Sequence, residues 1–220
     1  THTYAMSLLA EIANRLGYFD DAEFLLEKAV EFEPKDGALR MKYAAILRKK
    51  QKFLKTMEQV DILCDQYPDN LSYRAQKASE TMQNGDHQKA IDILDDILKK
   101  NPYNFSSLTS RGHAQKTLGK TNEAINSYQS AYQIKPDHGE AFFSLANLKT
   151  YSFTKNELDS MREQVARVDL SQRDRTYFHF ALAQGCEVNG EYEEAFFHLV
   201  KGNRIKNEQS QYSIELSLIH

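Results

Sequence analysis

Residues 71–104 read LSYRAQKASETMQNGDHQKAIDILDDILKKNPYN, and this stretch decides the fold. Its second half carries Ala90, Ile91, Leu94, Ile97 and Leu98 at the spacing of one apolar face of an α-helix. Gly85 stands just ahead, where a preceding helix has to end, because glycine enters the left-handed conformation without a Cβ penalty. Pro102 follows, and proline cannot be accommodated inside the helix before it. The stretch therefore reads as helix, turn, helix, stop.

Outward from it the same pattern returns. The chain has four prolines, Pro34, Pro68, Pro102 and Pro136, each 34 residues after the last. Ala22, Thr56, Ala90 and Ala124 lie ahead of them in one register, at the point where two helices cross closely and need a small side chain. Gly17, Gln51, Gly85 and Gly119 hold the turns, and Gln51 marks the turn expected to be least favourable. The repeats span 3–36, 37–70, 71–104 and 105–138. Asp20 with Glu23 is expected to cap the second helix of the first repeat as a D-x-x-E box.

Beyond 138 the pattern loosens. Residues 139–151 read as a helix, and Thr154 with Glu157 caps a second one through about Arg167. Together they make a degenerate pair over 139–175, without its glycine or proline. Gly190, Tyr192, Ala195 and Leu199 then restore the signature in a sixth repeat, 176–209, three residues late. The slack falls around VDLSQRD, where Ser171 and Asp174 suit a loop and a cap. Residues 210–220 are expected to begin a further helix that is cut short. A single helix pair buries too little apolar surface to stand alone, so neighbours must stack into one continuous core.

A 34-residue helix–turn–helix period with these signature residues resembles the tetratricopeptide repeat superfamily. The resemblance implies an all-α fold, a right-handed superhelical α-solenoid of antiparallel helix pairs that serves as a protein–protein interaction scaffold. The tryptophan usual in that family is replaced by Met6, Arg40, Arg74, Leu108, Phe142 and His179. Two strings, EAFFSLANLKTYSFTKNEL and DRTYFHFALAQGCEVNGEYEEAFFHLVKGNRIK, resemble the segment that precedes the catalytic domain in bacterial tetratricopeptide–sulfotransferase fusion proteins. That narrower resemblance covers about 139–209. It implies that the chain is the non-catalytic front of a larger enzyme using the sulfate donor PAPS, and that a following sulfotransferase domain is one of its partners. A stand-alone adaptor or a self-assembling scaffold is the alternative.

The chain itself carries no phosphate-cradling glycine loop and no nucleophile–base set, so no catalytic residue, cofactor or metal is expected in it. Lysine and arginine nearly balance aspartate and glutamate, leaving a net charge of −3 and no basic footprint for nucleic acid. No apolar run approaches the ~18–20 residues that would span a bilayer, and the first residues carry no secretory signal pattern. Cys64 and Cys186 form no CxxC pair and read as small buried hydrophobes of a reducing compartment, which points to the cytoplasm.

In this family the first helices of successive repeats line a concave groove. Its expected lining is Ser7, Glu11, Asn14 and Arg15, then Met41, Lys42, Arg48 and Lys49. Gln76, Ser79, Met82 and Gln83 follow, then Ser110, His113 and Lys116, and finally Phe143, Asn147 and Tyr151. Asn14, Arg15, Lys42, Arg48, Lys49, Gln76, Gln83, His113, Lys116 and Asn147 are the expected peptide-binding residues. Lysine and arginine bind carboxylates, and asparagine and glutamine pair with peptide amides, so an acidic or C-terminal peptide is the expected ligand. The family's two-carboxylate clamp for chaperone tails is not matched, because Ser7 and Glu11, Lys42, and Ser72 and Gln76 stand where it needs lysine and asparagine, asparagine, and lysine and arginine. His179 and His198 are expected to approach each other without forming a metal site. Asp92, Asp95, Asp96, Glu191, Glu193 and Glu194 are expected on a solvated face. The aromatic cluster Phe178, Phe180, Tyr192, Phe196 and Phe197 is expected mostly in the core, with part of it left as a docking surface.

Overall fold

The computed structural model describes residues 2–148 and 150–210, so the helix start expected over 210–220 lies, beyond Ser210, outside the described residues. Every regular element among the described residues is an α-helix. The chain divides into two compact bodies, Thr1–Pro102 and Tyr103–His220.

The N-terminal body holds three repeats: α1 (His2–Arg15) with α2 (Phe19–Phe32), α3 (Gly37–Lys49) with α4 (Phe53–Gln66), and α5 (Leu71–Gln83) with α6 (His87–Lys100). Each pair packs as a hairpin, α2 also packs on α3, and α4 on α5. Ala22, Thr56 and Ala90 are fully buried at the crossings, as the need for a small side chain demands. The turns adopt positive φ at Gly17, Gln51 and Gly85. Gln51, at φ 57°, is the one non-glycine residue described in that conformation, so the missing glycine does not change the turn but leaves a strained side chain in it. Asp36, Asn70 and Asp86 cap α3, α5 and α6 by accepting backbone N–H bonds.

The Asp20–Glu23 capping box does not form. Tyr18 occupies the N-cap of α2 without a side-chain bond, and Asp20 and Glu23 lie inside the helix. Both carboxylates instead bind Lys50 of the following repeat, and Glu23 also accepts from Lys52 at 2.6 Å. Two cations from the next repeat outcompete a backbone N–H for the same oxygens.

The C-terminal body begins with α7 (Phe105–Thr117) and α8 (Thr121–Ile134), a regular repeat capped by Asn104 and turned at Gly119. Then come α9 (Gly139–Ala146) and α10 (Lys155–Ala166). The expected helix over 139–151 stops five residues early: Asn147 ends it, and the chain turns so that Phe153 enters the core. Gln184 donates to the Ala146 carbonyl, satisfying one of the acceptors a helix end leaves open. Thr154 and Glu157 form the expected capping box of α10. The hairpin expected of this pair is replaced by a different arrangement, in which α9 and α10 each pack on α11 (Gln172–Val188). That helix starts four residues before the expected 176, capped by Ser171, whose oxygen accepts from the Asp174 N–H. It pairs with α12 (Tyr192–Ser210) through the turn at Gly190, φ 79°. The core here is aromatic: Tyr128, Phe142 and Phe178 are fully buried among Leu145, Leu158, Met161 and Leu182.

Candidate functional site

The expected peptide-binding residues fall on first helices, except Asn147 at the end of α9, but the fold has already engaged most of their charges. Lys42 donates to Glu11 at 2.6 Å and to Ser7 at 2.8 Å. That ammonium holds the Glu11 carboxyl below its ordinary pKa, by hydrogen bonding first and by charge second. Arg48 is ion-paired with Glu80, which is almost wholly buried and also accepts from Gln76 at 2.6 Å. Lys49 donates to Asn14 at 2.7 Å and lies over the Phe19 ring. Arg15 and Gln83 are exposed. In the N-terminal body, then, the cationic group Lys42, Arg48 and Lys49 holds neighbouring first helices together, and a ligand carboxylate has to displace Glu11 or Glu80 to reach it.

In the C-terminal body His113 is half-buried, 3.0 Å from the Tyr128 hydroxyl and 3.4 Å from Glu140. The His113 hydrogen bond and the Arg173 guanidinium hold Glu140 below the ordinary carboxylate range against its own burial. Lys116 and Asn147 are exposed. Tyr151, expected in the groove, turns away from it: its hydroxyl binds Glu157 and accepts from Gln129 at 3.0 Å, beside the core. Phe143 stacks on Tyr177 with ring centres 5.2 Å apart and lies 6.1 Å from Phe180.

The sequence placed the aromatic cluster of the sixth repeat mostly in the core. Only Phe178 is there; Phe180 is half-buried, and Tyr192, Phe196 and Phe197 are exposed. The reason lies in register. Ala195 and His198 of α12 are buried, while Tyr192, Phe196 and Leu199, on the flank next to Ala195, are exposed. Together with Phe143, Phe180 and Val188 they line an open, largely apolar groove of about 810 Å³, with Glu187 and Lys206 on its border. The signal that could have separated core from surface is the helical phase of α12, since Phe196 and Phe197 sit one and two positions past the buried Ala195.

On the same two helices, α11 and α12, His179 and His198 meet, Nδ1 to Nδ1, at 2.9 Å. Both are buried, and each is held below its ordinary pKa by burial first; His179 falls to about 4, pushed further by His198, Arg175 and Lys201. Glu194 opposes the shift of His198 from 3.5 Å. Glu191 and Glu194 do not lie on a purely solvated face: both accept from Arg162, which Asp159 also binds. Cys186, Glu191 and Glu194 bring metal-capable atoms within 4.8 Å of one another, but the Arg162 guanidinium already supplies the positive charge at that point. Asp96 likewise pairs with Arg74 and Lys99. No described helix is long and apolar enough to cross a membrane.

Residues 3–36 and 105–138 match the family profile described as tetratricopeptide repeat. The chain carries tetratricopeptide repeats. Solved structures of the same solenoid type resemble it over nearly its whole length. A MamA structure designated AMB-1 is 20% identical, covers 92% of this chain and 98% of its own, and gives a TM-score of 0.52. MamA from Desulfovibrio magneticus RS-1 is 13% identical, covers 97% and 98%, and gives 0.56. At these identities the likeness is one of fold, an all-α tetratricopeptide solenoid. No curated protein matches the sequence significantly. The two profile matches are the first repeats of the two bodies, and 105–138 keeps both the glycine and the proline of the period.

Proposed function

We propose that this chain is a protein-interaction scaffold and that its binding surface is the apolar groove on α9, α11 and α12. The observation that carries the proposal is the exposure of Tyr192, Phe196 and Leu199 around a groove of about 810 Å³. Exposed apolar surface of this extent, bordered by charge, marks a place where another polypeptide binds. The favoured ligand is a segment with an apolar stripe, because the groove offers ring faces and aliphatic side chains.

The acidic or C-terminal peptide expected from the sequence remains a second reading, supported by the lysine and arginine content of α3 and by exposed Lys116 and Asn147. Selection from a displayed peptide library separates the two. Apolar-stripe peptides whose Kd weakens at least about tenfold on Phe196→Ser, a loss of about 1.4 kcal/mol, support the groove. Acidic peptides lost on Lys42→Ala with Arg48→Ala support the second reading and remove the first.

We further propose that the repeats serve an attached PAPS-dependent sulfotransferase domain, on the strength of the two strings in 140–158 and 174–206. A coding sequence that continues into a strand, a Gly/Pro/Arg/Ser-rich loop and a helix, with PAPS binding by the product, is the expected result. A different domain downstream overturns it.

A further inference from the structure

The repeat period allows each end of the chain to be compared with an interior junction. In the first junction α2 packs on α3. Adding 173 to the α2 numbers gives the same places on α12, since Gly17 corresponds to Gly190 and Ala22 to Ala195. Subtracting 34 from the α3 numbers gives the same places on α1.

The interior junction is buried and its two ends are not. Leu26 is 2% exposed, while its counterpart Leu199 is 44% exposed. Tyr43 and Ile46 are each 4% exposed, while their counterparts Leu9 and Ile12 are each 54% exposed. The face of α12 is therefore exposed where the matching face of α2 holds a first helix, and the face of α1 is exposed where the matching face of α3 is covered.

The chemistry of the two faces also matches at three contacts, while Asp20, a further partner of Lys50 that is 94% exposed, has the exposed Glu193 as its counterpart. At the interior junction Lys49 lies over the Phe19 ring; the counterparts are Arg15 and Tyr192, again a cation and a ring. Lys50 binds Glu23 there; the counterparts are Leu16 and Phe196, so an ion pair becomes an apolar pair. Tyr43 donates to Glu27; the counterparts are Leu9 and Val200, and again both sides change together from polar to apolar. Leu16 opposite Glu23, or Lys50 opposite Phe196, would leave a charge without a partner. Neither mismatch arises when α1 meets α12.

We infer that the groove at α12 receives α1 of a second copy of this chain, repeating between molecules the junction that α2 and α3 make within one. This rests on the reading of the groove as the binding surface and names its occupant. Such a contact is heterologous, joining different surfaces of the two copies, so it can propagate from copy to copy.

Sedimentation velocity across the micromolar range tests it. The wild-type chain is expected to grow with concentration beyond the 25.4 kDa monomer. Leu9→Glu with Ile12→Glu removes one face, and Phe196→Glu with Leu199→Glu removes the other. Each variant alone is expected to stay monomeric, and an equimolar mixture is expected to stop at a dimer, because one intact face of each kind remains. A monomeric wild-type chain overturns the inference. Two variants that fail to complement overturn it as well. Should the glutamate variants lose helicity, a cysteine pair decides: Leu16→Cys and Phe196→Cys chains are expected to cross-link on mixing, and Leu54→Cys with Phe196→Cys is not. Equal cross-linking of both pairs counts against the inference. A monomeric chain that still binds apolar-stripe peptides through Phe196 loses only the second copy as occupant and keeps the groove.

Discussion

The two bodies solve the same stacking problem with different materials. In the N-terminal body, successive repeats are joined by ion pairs laid over small apolar clusters. Lys50 and Lys52 bind Glu23, Arg48 binds Glu80, Lys77 binds Asp61, and Lys100 binds Asp69. In the C-terminal body the degenerate pair has neither the glycine nor the proline of the period, and aromatic side chains hold its helices. Phe142 alone touches the rings of Tyr132, Phe153 and Phe178. Where glycine and proline punctuate the chain, local geometry places the helices and charged residues suffice to register neighbours. Where that punctuation is missing, packing has to set the geometry, and the residues that do so are large.

This contrast puts the largest loss in the aromatic core. Phe178→Ala should cost about 4 kcal/mol, counting lost transfer energy and the cavity left behind. Chemical denaturation followed by far-UV circular dichroism should show the C-terminal body melting early while the N-terminal body keeps its midpoint. A single unshifted transition would mean that the core tolerates collapse at that site.

The contrast sharpens at Arg48. Arg48→Ala leaves the buried Glu80 carboxylate with Gln76 as its remaining hydrogen-bond donor, and should cost about 2 kcal/mol. Glu80→Gln together with Arg48→Ala should recover part of that loss, since no buried charge is then uncompensated. Urea titration of both variants measures the difference.

The histidine pair gives a smaller effect with a defined sign. His179 and His198 are held neutral in the fold because their pKa values are depressed, whereas the unfolded chain takes up protons near pH 6.5. Stability is therefore full above about pH 6.5 and falls as the pH drops toward 4, the region of the depressed His179 value. The groups facing the pair are Glu194, Arg175, Lys201 and Arg162, and Glu194 moderates the loss at His198. Between pH 7.5 and pH 5 the C-terminal body should lose on the order of 1–2 kcal/mol. His179→Phe should flatten that dependence in urea titrations at the two pH values.

The smallest effect is a gain. Gln51→Gly relieves a left-handed side chain and should stabilise the N-terminal body by about 0.5–1 kcal/mol, read as a higher urea midpoint. No change would mean that the entropy glycine adds to the unfolded chain cancels the relief.

Much of this architecture was legible because glycine and proline act through local sterics, which sequence displays directly. The four prolines fix the repeats, and the positive φ at Gly17, Gly85, Gly119 and Gly190 falls where the turns were read. Thr154 and Glu157 cap α10 as expected, since a capping box involves only its own few residues. Asp20 and Glu23 carry the same local pattern and fail, because Lys50 and Lys52 reach them from 27 to 30 positions away. The candidate site suffered from the same blindness. Lys42 and Arg48 looked available for a ligand, yet Glu11 and Glu80 claim them across repeats. The exposure of Tyr192 and Phe196 was missed because an aromatic cluster reads as core unless the phase of its helix is known.

Cys186 of α11, the helix on which α10 and α12 both pack, is fully buried, with its thiol pushed up to about 11 by burial first and by neighbouring Glu194 and Glu191 after it. A thiol in that state does not react with an alkylating reagent at neutral pH until the helices part. Cys64, half-buried in the other body, offers a faster reference. The chain thus carries its own pair of clocks: the ratio of the two labelling rates reports how often the C-terminal body breathes, and any occupant of the neighbouring groove that steadies α12 should slow one clock without touching the other.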